Sequence, residues 1–271
     1  MDLAKEAAKK DRLLIKQREQ SNLHDQINLD LTYTSLLHLA HVYEALGMLP
    51  ESLNTYNTIV KNKAFTQAGK LRVNMGNIYF KQGKYAQSIK MYRIALDQIP
   101  SIHHDIRIRV TRNIGNAFVK MQKYQDAVVS YESILESQSD FQTAYNLVLS
   151  RFALGEKENM KRAYSKLSNI PPPVIEQYTD LEAKKEGEIL DHDLFRQDAL
   201  RQLAIDRRKK IERYILFATK CIAPVIEESF AKGYDWTLEL IRSSALSEMA
   251  SELEIAKAME YLKVKDYHQV N

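Results

Sequence analysis

One stretch of the chain is written twice, and that repetition limits the fold more than any other feature. Asn74–Tyr85 (NMGNIYFKQGKY) returns 39 residues later as Asn113–Tyr124 (NIGNAFVKMQKY), with Gly76 on Gly115 and Tyr85 on Tyr124. A second apolar run follows each copy, Ser88–Leu96 and Ala127–Leu135. Self-similarity at this period marks an architecture of stacked supersecondary units, each unable to bury its apolar face alone. Glycine and proline number only 8 and 6 in 271 residues, while Leu, Ala, Lys, Glu, Ile and Gln abound, so the units should be helical.

The internal spacing says which repeat this is. Gly76, Tyr79, Gly83, Tyr85, Ser88, Tyr92, Ala95 and Pro100 sit at the small and large positions of the tetratricopeptide motif, and Gly115, Phe118, Tyr124, Ala127 and Tyr131 repeat most of them. Gly76 lets a neighbouring helix approach, Tyr79 fills the space beside it, Tyr85 wedges the turn, and Pro100 stops the second helix. The expected fold is all-α, a right-handed α-solenoid of tetratricopeptide-like helix pairs.

Taken in order, residues 1–32 read as a polar N-terminal helix, with Leu3, Ala7, Leu14 and Ile15 as its thin apolar stripe, leaning on the first repeat. About four repeats fill 33–173. The first is loose (Ala40, Tyr43, Gly47, Tyr56), with Pro50 suited to a first helical turn. Extra residues around Ile102–Ile106 should lengthen a helix or its turn before the third. The fourth is degenerate (Phe152, Gly155, Tyr164, Leu167) and ends at Pro171–Pro173. Residues 174–192 read as a mobile acidic loop, and 193–250 as a helical spacer divided by Pro224, with Asp235 as N-cap of the next helix. Residues 251–271 match Tyr79–Tyr85 through Tyr261 and Tyr267. They look like a first repeat helix cut off before its mate, which implies a longer protein.

Chemistry is sparse. No catalytic, cofactor-binding or metal-binding set stands out. His38 and His41 share a helix face but lack further ligands, and His103 and His104 diverge, so all four read as packing or surface residues. Cys221, the one cysteine, lies in an apolar pattern without a His and reads as a buried structural thiol; it cannot form an internal disulfide. Trp236 and Phe230 read as core. Arg207–Lys210 tempts toward nucleic acid, but acids on the same helix make it a solvated face. With 39 basic and 35 acidic residues the chain is close to neutral overall, which argues against a nucleic-acid partner. No apolar run approaches the roughly 20 residues of a membrane span, so no membrane insertion is expected.

First helices line the concave face of such a solenoid, and Asn74, Asn77, Asn113 and Asn116 should point there, with Arg109 and Arg112 adding charge. An amide donates and accepts at once, so a ladder of amides can grip an extended backbone. The competing use for these amides is to bond neighbouring helices and hold the repeats in register. A carboxylate clamp of the co-chaperone kind wants lysine where Leu37 and Val73 stand, which weakens the alternative of an adaptor binding peptide tails.

Several segments carry a more specific likeness: Gln26–Tyr33 (QINLDLTY), Val60–Lys63, Val73–Tyr79, Ala95–Ser101 (ALDQIPS), Ile222–Glu227 (IAPVIE) and Gly233–Trp236 (GYDW). Together they resemble the tetratricopeptide subunits of the intraflagellar transport B complex, including outside the repeats. The resemblance implies a non-catalytic scaffold for cilium assembly, needing no cofactor. It implies other subunits of that complex as partners, such as intraflagellar transport protein 52, and a location in the cilium, its basal body and the cytoplasm.

Overall fold

A computed structural model of the chain describes residues 1–62, 65, 68–172 and 199–263, and their regular structure is entirely helical. The stretch 174–192 and the Tyr267 end of the last expected helix lie outside these residues. The chain divides into two compact units, residues 1–123 and 124–271.

The first unit runs α1 (Asp2–Gln20), α2 (Leu29–Ala45), α3 (Leu49–Lys61), α4 (Ala68–Lys81), α5 (Tyr85–Gln98) and α6 (His104–Lys120). Each helix packs on the next along α1 to α6. Helices α2 and α4 stop in the same way. Gly47 and Gly83 take positive φ (75° and 73°), and the next N–H returns to a last-turn carbonyl, Met48 to Tyr43 and Lys84 to Tyr79, both at 2.9 Å. At the end of α6 the same bond runs from Lys123 to Phe118 at 2.9 Å, yet the left-handed residue is Gln122 (φ 59°). Pro50 stands in the first turn of α3, where its missing N–H costs nothing. The extra residues before the third repeat go into the helix: α6 has 17 residues where α4 has 14.

Between these turns the core is aromatic against small. Tyr56 and Tyr92 are buried (0% and 1% exposed), and a methyl on Gly76 would lie 2.5 Å from the Tyr92 ring. Beside each contact a buried serine donates to the facing helix: Ser52 Oγ to the Ala40 carbonyl and Ser88 Oγ to that of Gly76, both 2.9 Å. One hydrogen bond thus recurs at one repeat position, and it satisfies a hydroxyl that burial would otherwise leave costly.

Helix α1 departs from expectation. The stripe it turns toward α2 is Ala4, Ala8, Asp11 and Ile15, whereas Leu3 is 83% exposed and Ala7 is exposed as well. Leu14 and Ile15 are half-buried as expected, but in the first half of the helix the stripe moves by one residue, from Leu3 and Ala7 to Ala4 and Ala8. Asp11 thereby comes inward, where its carboxylate accepts from Thr32 Oγ1 at 3.3 Å.

The second unit contains α7 (Tyr124–Ser137), α8 (Phe141–Leu154), α9 (Lys157–Ser168), α10 (Ala199–Ile226), α11 (Phe230–Arg242) and α12 (Ala250–Lys263). Asp140 caps α8 by accepting from the Thr143 N–H at 2.8 Å, and Gly155 ends it at φ 73°. Arg151, in the last turn of α8, is held by Glu132 (2.8 Å) from α7 and by Glu156 (2.5 Å); the bond from Asn159, followed by that from Arg151, holds the Glu156 carboxyl below its usual range. Tyr164 of α9 bonds Thr219 of α10 at 2.6 Å, both fully buried.

Two expectations fail here. Pro224 does not divide the helix; it stands in the last turn of α10, which continues to Ile226. Only one backbone bond is forfeited there, and burial of Ile222, Ala223 and Ile226 offsets it. Asp235 is not an N-cap. Helix α11 starts earlier, where Ser229, in extended conformation, accepts from the Lys232 N–H at 3.3 Å. Asp235 is mid-helix and pairs with Lys257 of α12 at 2.6 Å. Early entry into α11 brings Gly233 down onto α10: a methyl there would lie 1.9 Å from the Ala223 carbonyl oxygen. The two rings read as core, Phe230 and Trp236, are half-buried, Trp236 against Tyr164 at 6.0 Å with Lys161 over its face.

Two stability orders follow. Gly233→Ala meets backbone and Gly76→Ala meets a ring edge, so melting points should fall most for Gly233→Ala and less for Gly76→Ala. An equal fall at both positions would contradict the backbone contact. Tyr164→Phe should cost about 0.5–1.5 kcal/mol by removing its bond to Thr219, which keeps its bond to the Ile215 carbonyl. Tyr234→Phe should be neutral or stabilising in urea unfolding, since the Tyr234 hydroxyl is buried without a partner among the described residues.

Candidate functional site

The six groove residues divide between two first helices of the first unit. Asn74 and Asn77 stand on α4; Arg109, Arg112, Asn113 and Asn116 stand on α6. The structure joins Asn77 to Asn113, whose Nδ2 donates to Asn77 Oδ1 at 3.4 Å. The Tyr92 hydroxyl donates to the same Oδ1 at 2.7 Å. Asn74 turns instead to α3, its Nδ2 donating to Tyr56 Oη at 3.3 Å. Arg112 and Asn116 are half-buried and already engaged, while Arg109 is exposed with no ion-pair partner among the described residues.

The ladder is therefore partly spent on the repeat tyrosines. What remains is chemically specific. The Asn74 carbonyl oxygen and the Asn77 amide hydrogens keep hydrogen-bonding capacity, one acceptor and two donors a helical turn apart on half-buried residues. An extended peptide presents the complementary pair along its backbone. Arg109 adds one exposed cation on the neighbouring first helix.

Burial governs the tyrosines that hold the amides. It pushes the Tyr56 hydroxyl up to about 12, against a smaller opposing effect from the Asn74 bond, and raises Tyr92 against the bonds from Ser88 and Asn113. Both hydroxyls remain protonated at neutral pH.

The histidines supply no site. His41 lies edge-on to the Tyr56 ring at 6.2 Å, His38 is exposed, and no cluster of three or more metal-ligating side chains occurs among the described residues. Cys221 is half-buried and burial pushes its thiol up. Two features had no signal in the repeat spacing. Arg107 reaches back to the end of α5, donating to the Leu96 and Ile99 carbonyls at 2.6 and 2.8 Å. In the second unit Tyr145 and Tyr214 stack at 4.7 Å across α8 and α10.

Helix pairs closed by left-handed turns, with a tyrosine set against a small residue, define an all-α fold of tetratricopeptide-like helix pairs. Residues 67–140 match the family model described as "Tetratricopeptide repeat". Along 269 residues the chain is 45% identical to the human protein "Intraflagellar transport protein 88 homolog", an alignment covering 99% of this chain and 33% of that relative. The two are homologous along this length, so the resemblance drawn from six short segments extends over the chain, which spans 33% of the relative's length. Two solved structures were also matched. One is described as "MamA RS-1 ArsTM double mutant" (TM-score 0.48, 15% identity, covering 77% of this chain and 93% of that one). The other is "YrrB: a TPR protein with an unusual peptide-binding site" (TM-score 0.48, 11% identity, 91% and 100%).

The tyrosines give a pH prediction with a definite sign. A phenol raised in the folded state from its ordinary 10 to about 12 contributes stability that is complete below pH 10 and is lost as pH rises through 12. Urea unfolding should show the midpoint falling in that window, with tyrosinate absorbance appearing together with loss of helix. Tyr56→Phe should flatten the fall.

Proposed function

We propose that the chain is a non-catalytic protein–protein interaction scaffold belonging to an intraflagellar transport subunit. The carrying observation is the 45% identity along 269 residues, which includes helices well beyond the repeat segment 67–140. On this reading its partners are other subunits of the intraflagellar transport B complex, such as intraflagellar transport protein 52. Its place is the cilium, the basal body and the cytoplasm.

Within the first unit, the partner-binding groove is the face of Asn74, Asn77, Arg109, Arg112, Asn113 and Asn116. Asn74 and Asn77 offer an acceptor and donors to a backbone, and Arg109 offers charge to an acidic side chain. The lack of clamp lysines at Leu37 and Val73 disfavours a terminal carboxylate, so an internal segment of a partner fits better than a peptide tail.

Affinity capture from ciliated-cell extract, with mass spectrometry of what is retained, tests the partner class. Transport subunits among the retained proteins are the expected result; chaperones alone would favour the adaptor reading. Titration of the retained partner then tests the groove. Arg109→Glu should weaken binding several-fold, in a salt-dependent manner, and leave the melting point unchanged. Asn77→Ala should lower stability by about 1–3 kcal/mol, because it strands the Tyr92 hydroxyl. Full affinity in Arg109→Glu would move the search away from this face.

A further inference from the structure

The second unit carries a surface with its own chemistry. Helix α10 holds seven lysines and arginines against two acids, Asp206 and Glu212. Arg208 is answered by Glu212 and Glu248, but Arg207, Lys209, Arg213 and Lys220 have no ion-pair partner among the described residues. A helix this basic in a chain of net charge only +4 is a localised field rather than a background.

Two of the helix's cations, Arg207 and Lys210, share one outward stripe, while Lys209, Arg213 and Lys220 lie on another face. The side of α10 turned into the unit is Ile211, Ile215, Ala218, Ile222 and Ile226. Away from it, Leu203, Arg207, Lys210, Tyr214, Phe217 and Cys221 follow one another at steps of four and three residues. That alternation is the spacing of a coiled-coil seam, and it places all six on one stripe. From Leu203 to Phe217 the stripe runs roughly 21 Å at the helical rise. Leu203 and Phe217 are 47% and 51% exposed, and Arg207 and Lys210 between them are exposed too.

The stripe has a fixed floor. Tyr214 stacks on Tyr145 of α8 with the rings 26° from parallel, and the Lys210 ammonium sits 5.8 Å over the Tyr214 ring. Packing of α8 on α10 thus holds the two rings in place, and the cation lying over one of them is orientated before anything binds.

We propose that this stripe docks an acidic amphipathic helix of a partner protein, with apolar side chains set on Leu203 and Phe217 and carboxylates on Arg207 and Lys210. The seam spacing matches a second helix, and the charge order, apolar at the ends and cationic between, is complementary to only one register of it. A nucleic acid gains nothing from Leu203, and the two tyrosine rings stack on each other instead of presenting open faces to bases. An anionic membrane needs apolar side chains along one whole face, and here the centre of the stripe is charged. The proposal concerns a different unit from the amide ladder and stands whether or not that ladder binds a partner.

The test uses the whole chain and four probes: an acidic peptide about three heptads long with leucines at the outer seam positions and two central glutamates, the same peptide with lysines for those glutamates, oligouridine RNA, and phosphatidylserine vesicles. Fluorescence anisotropy should show the acidic peptide bound and the lysine peptide unbound. Arg207→Glu with Lys210→Glu should weaken the acidic peptide about tenfold or more and admit the lysine peptide in its place. Phe217→Ala should weaken both pairings, and Lys166→Glu, an exposed charge reversal on α9, should change neither. Circular dichroism confirms that each variant is folded. Absence of acidic-peptide binding, failure of the charge swap, or an equal effect of Lys166→Glu overturns the proposal. So does tighter binding of RNA or vesicles that the double reversal abolishes.

Discussion

Everything in this chain hangs on burying a tyrosine in each second helix. Tyr56, Tyr92, Tyr131, Tyr164 and Tyr234 are all less than 2% exposed and are the largest side chains buried so completely. A ring of that size fits between helices only where the facing residue is small, so Gly76 and Tyr92 define each other's place. The same interval of 16 residues separates Ala40 from Tyr56, Gly76 from Tyr92, Gly115 from Tyr131, and, past the last matched repeat, Ala218 from Tyr234. The burial supplies apolar area, and the hydroxyl carries an obligation, because an unmet donor at that depth costs about as much as the ring edge gains.

How each hydroxyl is met explains the polar residues around it. Tyr92 is met by Asn77 and Tyr164 by Thr219. Tyr56 accepts from Asn74. Asparagine recurs on the first helices because it can satisfy a tyrosine with one end of the amide and still face outward with the other. The structural role therefore leaves the other end of each amide available to the groove proposed above. The tyrosine bond fixes the amide's orientation, and a fixed amide loses little freedom when it grips a backbone. Tyr234 has no such neighbour among the described residues: those clustered with it include Ala223 and Ala256, neither of which can donate or accept through its side chain.

The repeat was legible because its constraints are local. Glycine at Gly47, Gly83 and Gly155 marks a left-handed turn, and each turn is where the spacing puts it. Gln122 shows the geometry outlasting the glycine: the third copy makes the same turn without the residue that favours it. Legibility ended where the deciding contact was distant in sequence. Pro224 and Asp235 carry helix-ending and helix-starting signals worth at most a few kcal/mol, and both were overruled by α11 closing on α10 through Gly233. In its first half the α1 stripe slipped by one residue for the same reason, since Thr32 supplies a distant partner for one of the two Asp11 oxygens. Of the groove residues, their helices could be read, but the sharing of Asn77 between Tyr92 and Asn113 could not, because it joins side chains 15 and 36 residues apart.

The charge pattern follows from the same division of labour. A first helix of a repeat must give one face to its own partner and the next to its neighbours, which leaves a single strip free to vary. In α4 that strip carries Asn74 and Asn77, tied to the buried tyrosines, and in α6 it carries Asn113, tied to Asn77. In α10 the hydroxyl of Tyr164 is met from inside by Thr219, whose side chain also bonds the Ile215 carbonyl, so no outward amide is needed there. The strip of α10 is thereby released from that duty, and Arg207 and Lys210 stand on it. Neutral amides and fixed cations select by different physics: the first by backbone hydrogen bonds that tolerate many sequences, the second by charge that rejects most of them. A repeat fold that satisfies its buried hydroxyls in two ways obtains two kinds of surface from one kind of helix pair.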